Sequence, residues 1–317
     1  MYAYIIRRVL IGIMVAFGVV TLVFFSLHVA PGDPISMLIP PEAGGGVGTE
    51  IADQIRAKYG LDDPLHVQYF LYLQRLVHLD FGRSINTRRP VASALIARYP
   101  ATLELTFCSL VVAILIALPV GVVSAVRQNS MLDNSTRVLA LMGVSLPSFW
   151  LGLLLMLLFS LKLGWLPASG RGGVLWTWNG LKHMIMPAFT LGTAVSGILM
   201  RLTRSSMLEV LGEDYLDTAR AKGLSERIVI YGHALRNALI PVITVLGLQF
   251  GGLLGGAVVI ETIFAWPGVG RYAIQGITGK DFPVVQGSVL AISVGFIVIN
   301  LVVDVIYSMI DPRITYD

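Results

Sequence analysis

The sequence predicts an all-helical membrane protein with about six transmembrane helices. Hydrophobic residues fill 55% of its 317 positions and charged residues only 13%, about half the charged share of soluble domains. The mean hydropathy is +0.76, and several apolar runs are long enough to cross a bilayer at about 1.5 Å of helix per residue. One membrane domain over residues 1–317 fits these features better than two soluble domains.

Six apolar segments carry this prediction, and each has roughly the length that a bilayer core requires. The first follows Arg7 and Arg8 and is kept as a span, because it is longer than the core of a cleaved signal peptide. The fourth is the weakest, since Pro187, Gly192 and Gly197 interrupt it, and it is expected to be kinked or bordered by protein. The expected spans are residues 9–30, 105–126, 138–161, 183–200, 238–260 and 284–310.

The distribution of lysine and arginine predicts that both termini lie in the cytoplasm. With that orientation, eleven basic residues fall in cytoplasmic parts and five in the short outer loops, as the positive-inside rule requires. Two segments are too long to be simple connectors: an extracytoplasmic segment, 31–104, and a cytoplasmic segment, 201–237. The outer segment is expected to be ordered, with a helix over residues 51–59, and to offer a contact surface to a protein or a solute.

Composition and motifs exclude several classes of function. The formal charge is +4, but the basic residues are scattered or lie beside apolar segments, so nucleic-acid binding is not indicated. The single cysteine, Cys108, excludes an internal disulfide, and the histidines form no metal motif. The fragment nearest to a phosphate-binding loop, residues 276–281, has the wrong spacing. The chain itself is therefore expected to bind neither ATP nor a metal.

The cytoplasmic segment contains a pattern that predicts a short helix. Asp214 and Asp217 lie in its first turns, Arg220 and Lys222 in its last turn, and Gly223 stops it. Its small side chains leave a slim surface that a groove on another protein could accept, although an ordinary amphipathic connector explains the same pattern. The residues concerned are Glu213, Asp214, Tyr215, Asp217, Thr218, Ala219, Arg220, Ala221, Lys222 and Gly223.

The predicted spans contain further candidate positions. Glycines at helical spacing in the fifth span permit close approach between helices, either inside this chain or along a central pathway. They are Gly247, Gly251 and Gly255, with Gly252 and Gly256 beside them. On such a pathway Gln249 would offer hydrogen bonds to a passing solute, and Ser145 is a second candidate. Glu104 and Glu261, at the outer ends of their segments, are interpreted as loop or interface charges rather than substrate ligands.

Two polar residues of the last span form another candidate pair. Asn300 and Asp304 are four residues apart, so they share a helix face that should point into protein rather than lipid. A structural role is favoured, with Asp304 bonded to a cation such as Arg8 or Arg313. A functional role remains the alternative, since ionisable groups inside membranes often serve transport.

Several stretches match motifs of a known family. Asp217–Ala219 followed by Gly223, then His233–Leu235, resembles the EAA loop of bacterial ABC importer permeases, in the form found in the group for dipeptides, oligopeptides, nickel and glutathione. The loop departs from the general pattern at four positions, as this group does: Asp217, Thr218, His233 and Arg236. Other matching stretches cover nearly the whole chain: residues 7–8, 31–34, 61–65, 80–82, 147–152, 164–167 and 311–313.

The resemblance implies the type I ABC importer permease fold (MetI-like) in the bacterial inner membrane, with a large extracytoplasmic loop and a cytoplasmic coupling helix. It also implies a heterodimer with a second permease, an extracytoplasmic substrate-binding protein, and two ATPase subunits that bind ATP and Mg²⁺ and dock on the coupling helix. The solute would be a dipeptide, an oligopeptide, glutathione or nickel.

Two other classes of protein fit the sequence less well. A membrane-embedded enzyme would need a nucleophile with its base, and Ser145 lies in no GxSxG motif. A secondary transporter or a channel shares the architecture but needs no loop for docking an ATPase.

Overall fold

The computed structural model describes residues 2–29 and 62–310, with side chains described over 6–29 and 62–304. The helix expected over residues 51–59 and the motifs at 31–34 and 311–313 lie outside the described residues. Within them, the chain forms helices and short connections, apart from one isolated bridge between Arg83 and Pro90.

The helices of the described residues are numbered α1 to α10 in chain order. They are α1 (Tyr2–Val29), α2 (Leu65–Val77), α3 (Val91–Val126), α4 (Met131–Ser145), α5 (Ser148–Leu155), α6 (Trp178–Leu211), α7 (Asp214–Ala221), α8 (Leu235–Ile263), α9 (Val269–Thr278) and α10 (Phe282–Ile310). Helix α5 continues as a π-helix over Met156–Lys162, and a helical turn (Glu226–Ile228) and a second π-helix (Val229–Ala234) lead into α8.

Five stretches are long and apolar enough to cross a membrane, and a bent pair supplies a sixth. The five are Ile6–Val29, Val91–Val126, Trp178–Leu211, Glu226–Ile263 and Phe282–Asp304. Helices α4 and α5 form the bent pair, with an angle of 102° between them. The cause is Pro147, which lacks an amide donor and forces Leu146 into an extended conformation, with φ −78° and ψ 128°.

Contacts between α1 and α10 show that the number of crossings is even. Arg8, near the start of α1, donates to Asp304 near the end of α10, and this side of the bundle is called the terminal face. At the other side, called the opposite face, the ring of His28 in α1 lies 6.0 Å from that of Phe282 in α10. Because the chain enters α1 and leaves α10 at the same face, the bent pair counts as the sixth crossing.

Helix α6 lies at the centre of the bundle and α1 at its edge. In the apolar windows of these helices, 61% of α6 is buried but only 17% of α1. Close backbone approach holds α6 to α3: a Cβ on Gly121 would lie 2.7 Å from Cβ of Thr203, and one on Gly192 would lie 2.5 Å from the carbonyl oxygen of Ser109. The central position of α6 explains why its interrupted apolar pattern is tolerated.

Several helices extend beyond the spans expected from hydropathy. Helix α3 begins at Val91 rather than near residue 105, so residues 91–104 of the expected outer segment are helical. Helix α6 covers Trp178–Leu211 rather than 183–200, with Pro187 buried inside it. Hydropathy detects only the apolar part of a helix, whereas these helices continue beyond it into turns that contain polar residues.

Candidate functional site

The short helix predicted at the inner segment is confirmed as α7. It ends in a Schellman motif, in which the N–H of Gly223 donates to the carbonyl of Arg220 at 2.9 Å and the N–H of Leu224 donates to that of Ala219 at 3.4 Å. Gly223 has a φ of +82°, in the left-handed region that only glycine adopts at little cost. The glycine predicted to stop the helix therefore has the conformation that this helix end requires.

One side chain fixes α7 to the terminal face. Leu216 is fully buried in a cluster that contains Val122 of α3, Met207 of α6, and Val229 and Ala234 of the π-helix before α8. At the other end of this contact, Nδ2 of Asn237 donates to the hydroxyl of Tyr215 at 2.7 Å. Helix α7 is thus seated on three membrane-spanning elements.

The rest of α7 faces outward. Arg220 binds Asp217 at 2.8 Å and Glu226 at 3.1 Å, and Glu226 first and Asp217 second raise the pKa of this guanidinium. Asp214 and Lys222 form no ion pair with any described residue. The predicted positions divide into exposed ones, which are Glu213, Asp214, Tyr215, Asp217, Thr218, Ala221, Lys222 and Gly223, and half-buried ones, which are Ala219 and Arg220.

A buried carboxylate near the terminal face was not singled out by the sequence analysis. Asp133, in the first turn of α4, is fully covered and accepts two hydrogen bonds from Arg204 of α6, at 2.7 and 3.0 Å. It also accepts from Arg137 of α4, from the hydroxyl of Ser124 in α3 at 2.6 Å and from the N–H of Asn129 at 2.9 Å. One carboxylate thus connects α3, α4 and α6.

The glycine stripe of α8 has two different surroundings. Gly247 and Gly251 pack against α10: a Cβ on Gly251 would lie 2.9 Å from Phe296, and one on Gly247 would collide with Val303. The neighbouring Gly252 and Gly255 face open space, and Gly256 lies near Leu191 of α6. Internal packing accounts for the first pair, whereas no described residue covers the smooth surface at the second pair.

The two pathway candidates lie on different elements. Gln249 is half-buried in the middle of α8. Ser145 is exposed at the end of α4, where the chain bends. No hydrogen bond joins these two side chains or links either of them to another described side chain, so their role in a pathway stays a prediction.

The two polar residues of the last span contact different helices. Asp304 accepts from Arg8, one of the two cations that the sequence offered. Asn300 lies over Gly251 of α8, where a Cβ would be 3.1 Å from its Oδ1. These contacts support a structural role for each residue, one tying α10 to α1 and the other lining the contact between α10 and α8.

The interpretation of Glu261 as a loop or interface charge is wrong. Its carboxylate is fully buried and accepts from the hydroxyl of Thr102 at 2.6 Å and from the N–H of Arg271 at 2.9 Å. The chain turns back after α8 and places α9 over this carboxylate, which caps the first turn of that helix. Glu104, by contrast, is half-buried and binds Arg171 at 2.7 Å.

Comparisons with known proteins agree with this architecture. The family described as "Binding-protein-dependent transport system inner membrane component" matches residues 117–316, and its N-terminal companion matches residues 1–106. The chain is 45% identical over 316 residues to the glutathione transport system permease protein GsiC of Salmonella paratyphi A. It is 44% identical over 337 residues to the dipeptide transport system permease protein DppB of Alkalihalophilus pseudofirmus, and both alignments cover each protein completely.

A solved structure shows the same fold at much lower identity. The inward-facing MetNI methionine ABC transporter matches 69% of this chain and 97% of the matched chain, with a TM-score of 0.57 and 18% identity. The predicted all-helical, MetI-like membrane fold is thereby confirmed. With matches over nearly the full sequence and whole-length relatives at 45% identity, the chain belongs to the binding-protein-dependent transport system inner membrane components, the permeases of ABC importers.

Proposed function

We propose that this permease is one half of a heterodimeric pathway for small peptides, and that it is driven by two separate ATPase subunits that dock on α7. ATP and Mg²⁺ bind in those subunits, and an extracytoplasmic binding protein delivers the solute. The observation that carries the proposal is α7 itself, a short helix that is anchored by one buried leucine and exposes nearly all its remaining side chains.

The geometry of α7 suits a transmitting contact. Leu216 holds the helix on the ends of α3, α6 and the segment before α8, so a force on the exposed face reaches three elements of the membrane bundle. Asp214 and Lys222 remain available for charged partners, because no described residue pairs with them. A connector with no partner would not need to expose almost every side chain except one buried leucine.

The orientation follows from the same surface. The ATPases are cytoplasmic in such a complex, so the terminal face, which carries α7, Arg8 and Asp304, is assigned to the cytoplasm together with both termini. The opposite face, with His28 and the loop between α5 and α6, is then extracytoplasmic. The excess of lysine and arginine in the terminal-face loops supports this assignment.

The solute class rests on the relatives. One relative is named for glutathione and another for dipeptides, and both solutes are short peptides with a free amino group and free carboxylates. The uncovered face of α8 at Gly252 and Gly255 is where the second permease would complete the pathway. Gln249 of α8 and Ser145 at the end of α4 are the positions proposed to meet the peptide backbone.

The first test is purification of the tagged chain from its native membrane at low detergent, followed by mass spectrometry. A second permease and one or two ATPases in the eluate are expected, and the purified complex in liposomes should import glutathione or alanyl-alanine only with ATP inside and a binding protein outside. Recovery of the chain alone, active without ATP, would overturn the proposal in favour of a secondary transporter.

A substitution at Gly223 tests the docking surface. Valine at this position would strain the left-handed backbone by about 1–2 kcal/mol, although a Cβ there meets no atom within 4 Å. We expect the Gly223→Val permease to insert normally but to lose transport and transport-coupled ATP hydrolysis. The control is Gly212→Ala at the other end of α7, whose Cβ would make only ordinary contacts of 3.5 Å or more; equal effects of the two changes would contradict the role of α7.

A further inference from the structure

The polar cluster around Asp133 joins α3, α4 and α6 by hydrogen bonds and an ion pair in addition to their apolar packing. Arg204 places a planar guanidinium on both oxygens of the carboxylate, which fixes the distance and also the relative rotation of α4 and α6. Ser124 adds a bond from α3. Apolar contacts between helices can slide at small cost, whereas a bidentate ion pair breaks when the helices shift by a fraction of a turn.

The two arginines of this cluster have different structural roles. Arg137 lies on the same helix as Asp133, four residues later, and is half-exposed. Arg204 comes from α6 and is mostly covered, with 20% of its side chain exposed. Arg137 neutralises the charge within α4, and of the two arginines only Arg204 reaches Asp133 from another helix.

Arg204 is also close in the chain to the proposed docking helix. It lies two turns before the end of α6 at Leu211, and only Gly212 and Glu213 separate α6 from α7. The N–H groups of these two residues donate to the carbonyls of Glu209 and Val210, so the connection continues the hydrogen bonding of α6 without a flexible loop. A displacement of α7 therefore reaches Arg204 before it reaches the centre of the bundle.

We propose that Asp133 and Arg204 are positioning residues that make α4 and the terminal-face end of α6 move as one body when the docking helix moves. The inference rests on the proposed function of α7 and deepens it by naming the joint through which α7 moves the broken span formed by α4 and α5. Without this joint, only the packing of α4 on α6, as at Gly143 and Gly197, would carry a shift of α6 to α4.

The test uses two arginine variants with the same change in charge. Arg204→Gln removes the link between helices but leaves Asp133 compensated by Arg137, Ser124 and Asn129, so the permease should still fold. In the complete complex in proteoliposomes, ATP hydrolysis should persist. The amount of solute imported per ATP should fall about tenfold, a factor typical of energetic coupling between two sites. Import of glutathione and of alanyl-alanine provides the readout.

Arg137→Gln is the matched control, because it removes an equal charge but keeps the link from α4 to α6. It should leave the import per ATP unchanged, and Arg204→Lys should be intermediate, since lysine keeps the charge but loses the bidentate geometry. A merely structural role would lower the yield of folded complex without changing the import per ATP of the complex that remains. Unchanged import per ATP in Arg204→Gln would overturn the inference.

A distance measurement tests the same joint without depending on stability. Spin labels at the exposed positions Val138 of α4 and Ser205 of α6 should keep their separation when the wild-type complex binds ATP. A change of more than about 5 Å, one helical turn, would sink the inference. If Arg204→Gln leaves the import per ATP unchanged but Gly223→Val abolishes it, the proposal for the Asp133–Arg204 joint is wrong, whereas the proposed docking role of α7 is supported.

Discussion

Asp133 and Glu261 are both fully buried carboxylates, but they lie at opposite faces of the bundle and are satisfied by different partners. Asp133 accepts from two guanidinium groups, one of them on another helix. Glu261 accepts from the hydroxyl of Thr102 and from the N–H of Arg271, and no described cation pairs with it. The first is an ionic joint between helices, and the second is a cap that holds a reversal of the chain.

The difference between the two sets of donors predicts which substitutions each region tolerates. At Asp133 the donors are mainly charged, so a neutral replacement leaves cations without their counter-ion. At Glu261 the donors are neutral, so a neutral replacement of the same shape keeps much of the hydrogen bonding. The terminal face should therefore be sensitive to charge, and the opposite face to shape.

The largest effect is expected for Asp133→Asn. It leaves Arg204 mostly buried without its carboxylate, and the free energy of unfolding should fall by about 3 kcal/mol, the lower end for a broken buried pair, because half-exposed Arg137 admits water to the site. Chemical unfolding of the purified complex measures this value. Glu104→Gln, which breaks the half-buried pair with Arg171, is the control and should lower the free energy of unfolding by about 1 kcal/mol or less. Equal losses for the two variants would contradict the greater importance of the buried pair.

Gly268→Ala should produce the next largest effect. It tests whether the site around Glu261 tolerates a change in shape. The φ of Gly268 is −94°, which any residue adopts, but a Cβ there would collide with the carboxylate of Glu261. Displacing α9 or the glutamate should cost about 2 kcal/mol, measured by the same unfolding experiment. Gly18→Ala meets no atom within 4 Å and should be neutral; a neutral Gly268→Ala would show that this turn is not tightly packed.

Glu261→Gln should have a smaller effect than either change. Glutamine keeps the shape and one acceptor oxygen, and the hydroxyl of Thr102 can turn to accept instead of donate, so we expect a loss of about 1 kcal/mol. The proposed contrast predicts that Glu261→Gln lowers the free energy of unfolding by much less than Asp133→Asn does in parallel unfolding curves. A larger loss for Glu261→Gln than for Asp133→Asn would reverse the assignment of charge and shape to the two faces.

Asp217→Asn should have the smallest effect on stability, since its side chain is 78% exposed and solvent already screens its pair with Arg220. The unfolding temperature should not change measurably. If α7 docks the ATPases, the amount of ATPase retained during purification should fall, and more so at high salt, which screens exposed charges. Loss of stability without loss of ATPase would indicate an internal role for this residue.

Local sequence signals were sufficient for α7 but not for the two carboxylates. The helix from Asp214 to Ala221 is marked by its own charges and by Gly223, all within a dozen positions. Asp133 and Arg204 are 71 residues apart, so their contact depends on the packing of α4 on α6. The only local signals at Asp133 are the capping Ser130 three residues earlier and Arg137 four residues later, which any surface helix could carry.

Glu261 and the bend at Pro147 show two further limits of the pattern. Glu261 ends an apolar run and therefore resembles a residue at the edge of a membrane, whereas the reversal at Ala265, with a φ of +49°, turns α9 back over it. Hydropathy averages across Pro147, so it predicted a single span over residues 138–161. The preference of a residue before proline for extended backbone was the signal that could have located the break.

The contact between Arg8 and Asp304 also has a consequence in time. Helix α1 precedes α10 along the chain, so this contact can form only after α10 has been synthesised. Until then, the part of α1 that α10 covers, such as Gly12 beneath Ile297, lacks this cover. The contact therefore forms late in synthesis, after the other described helices have been made.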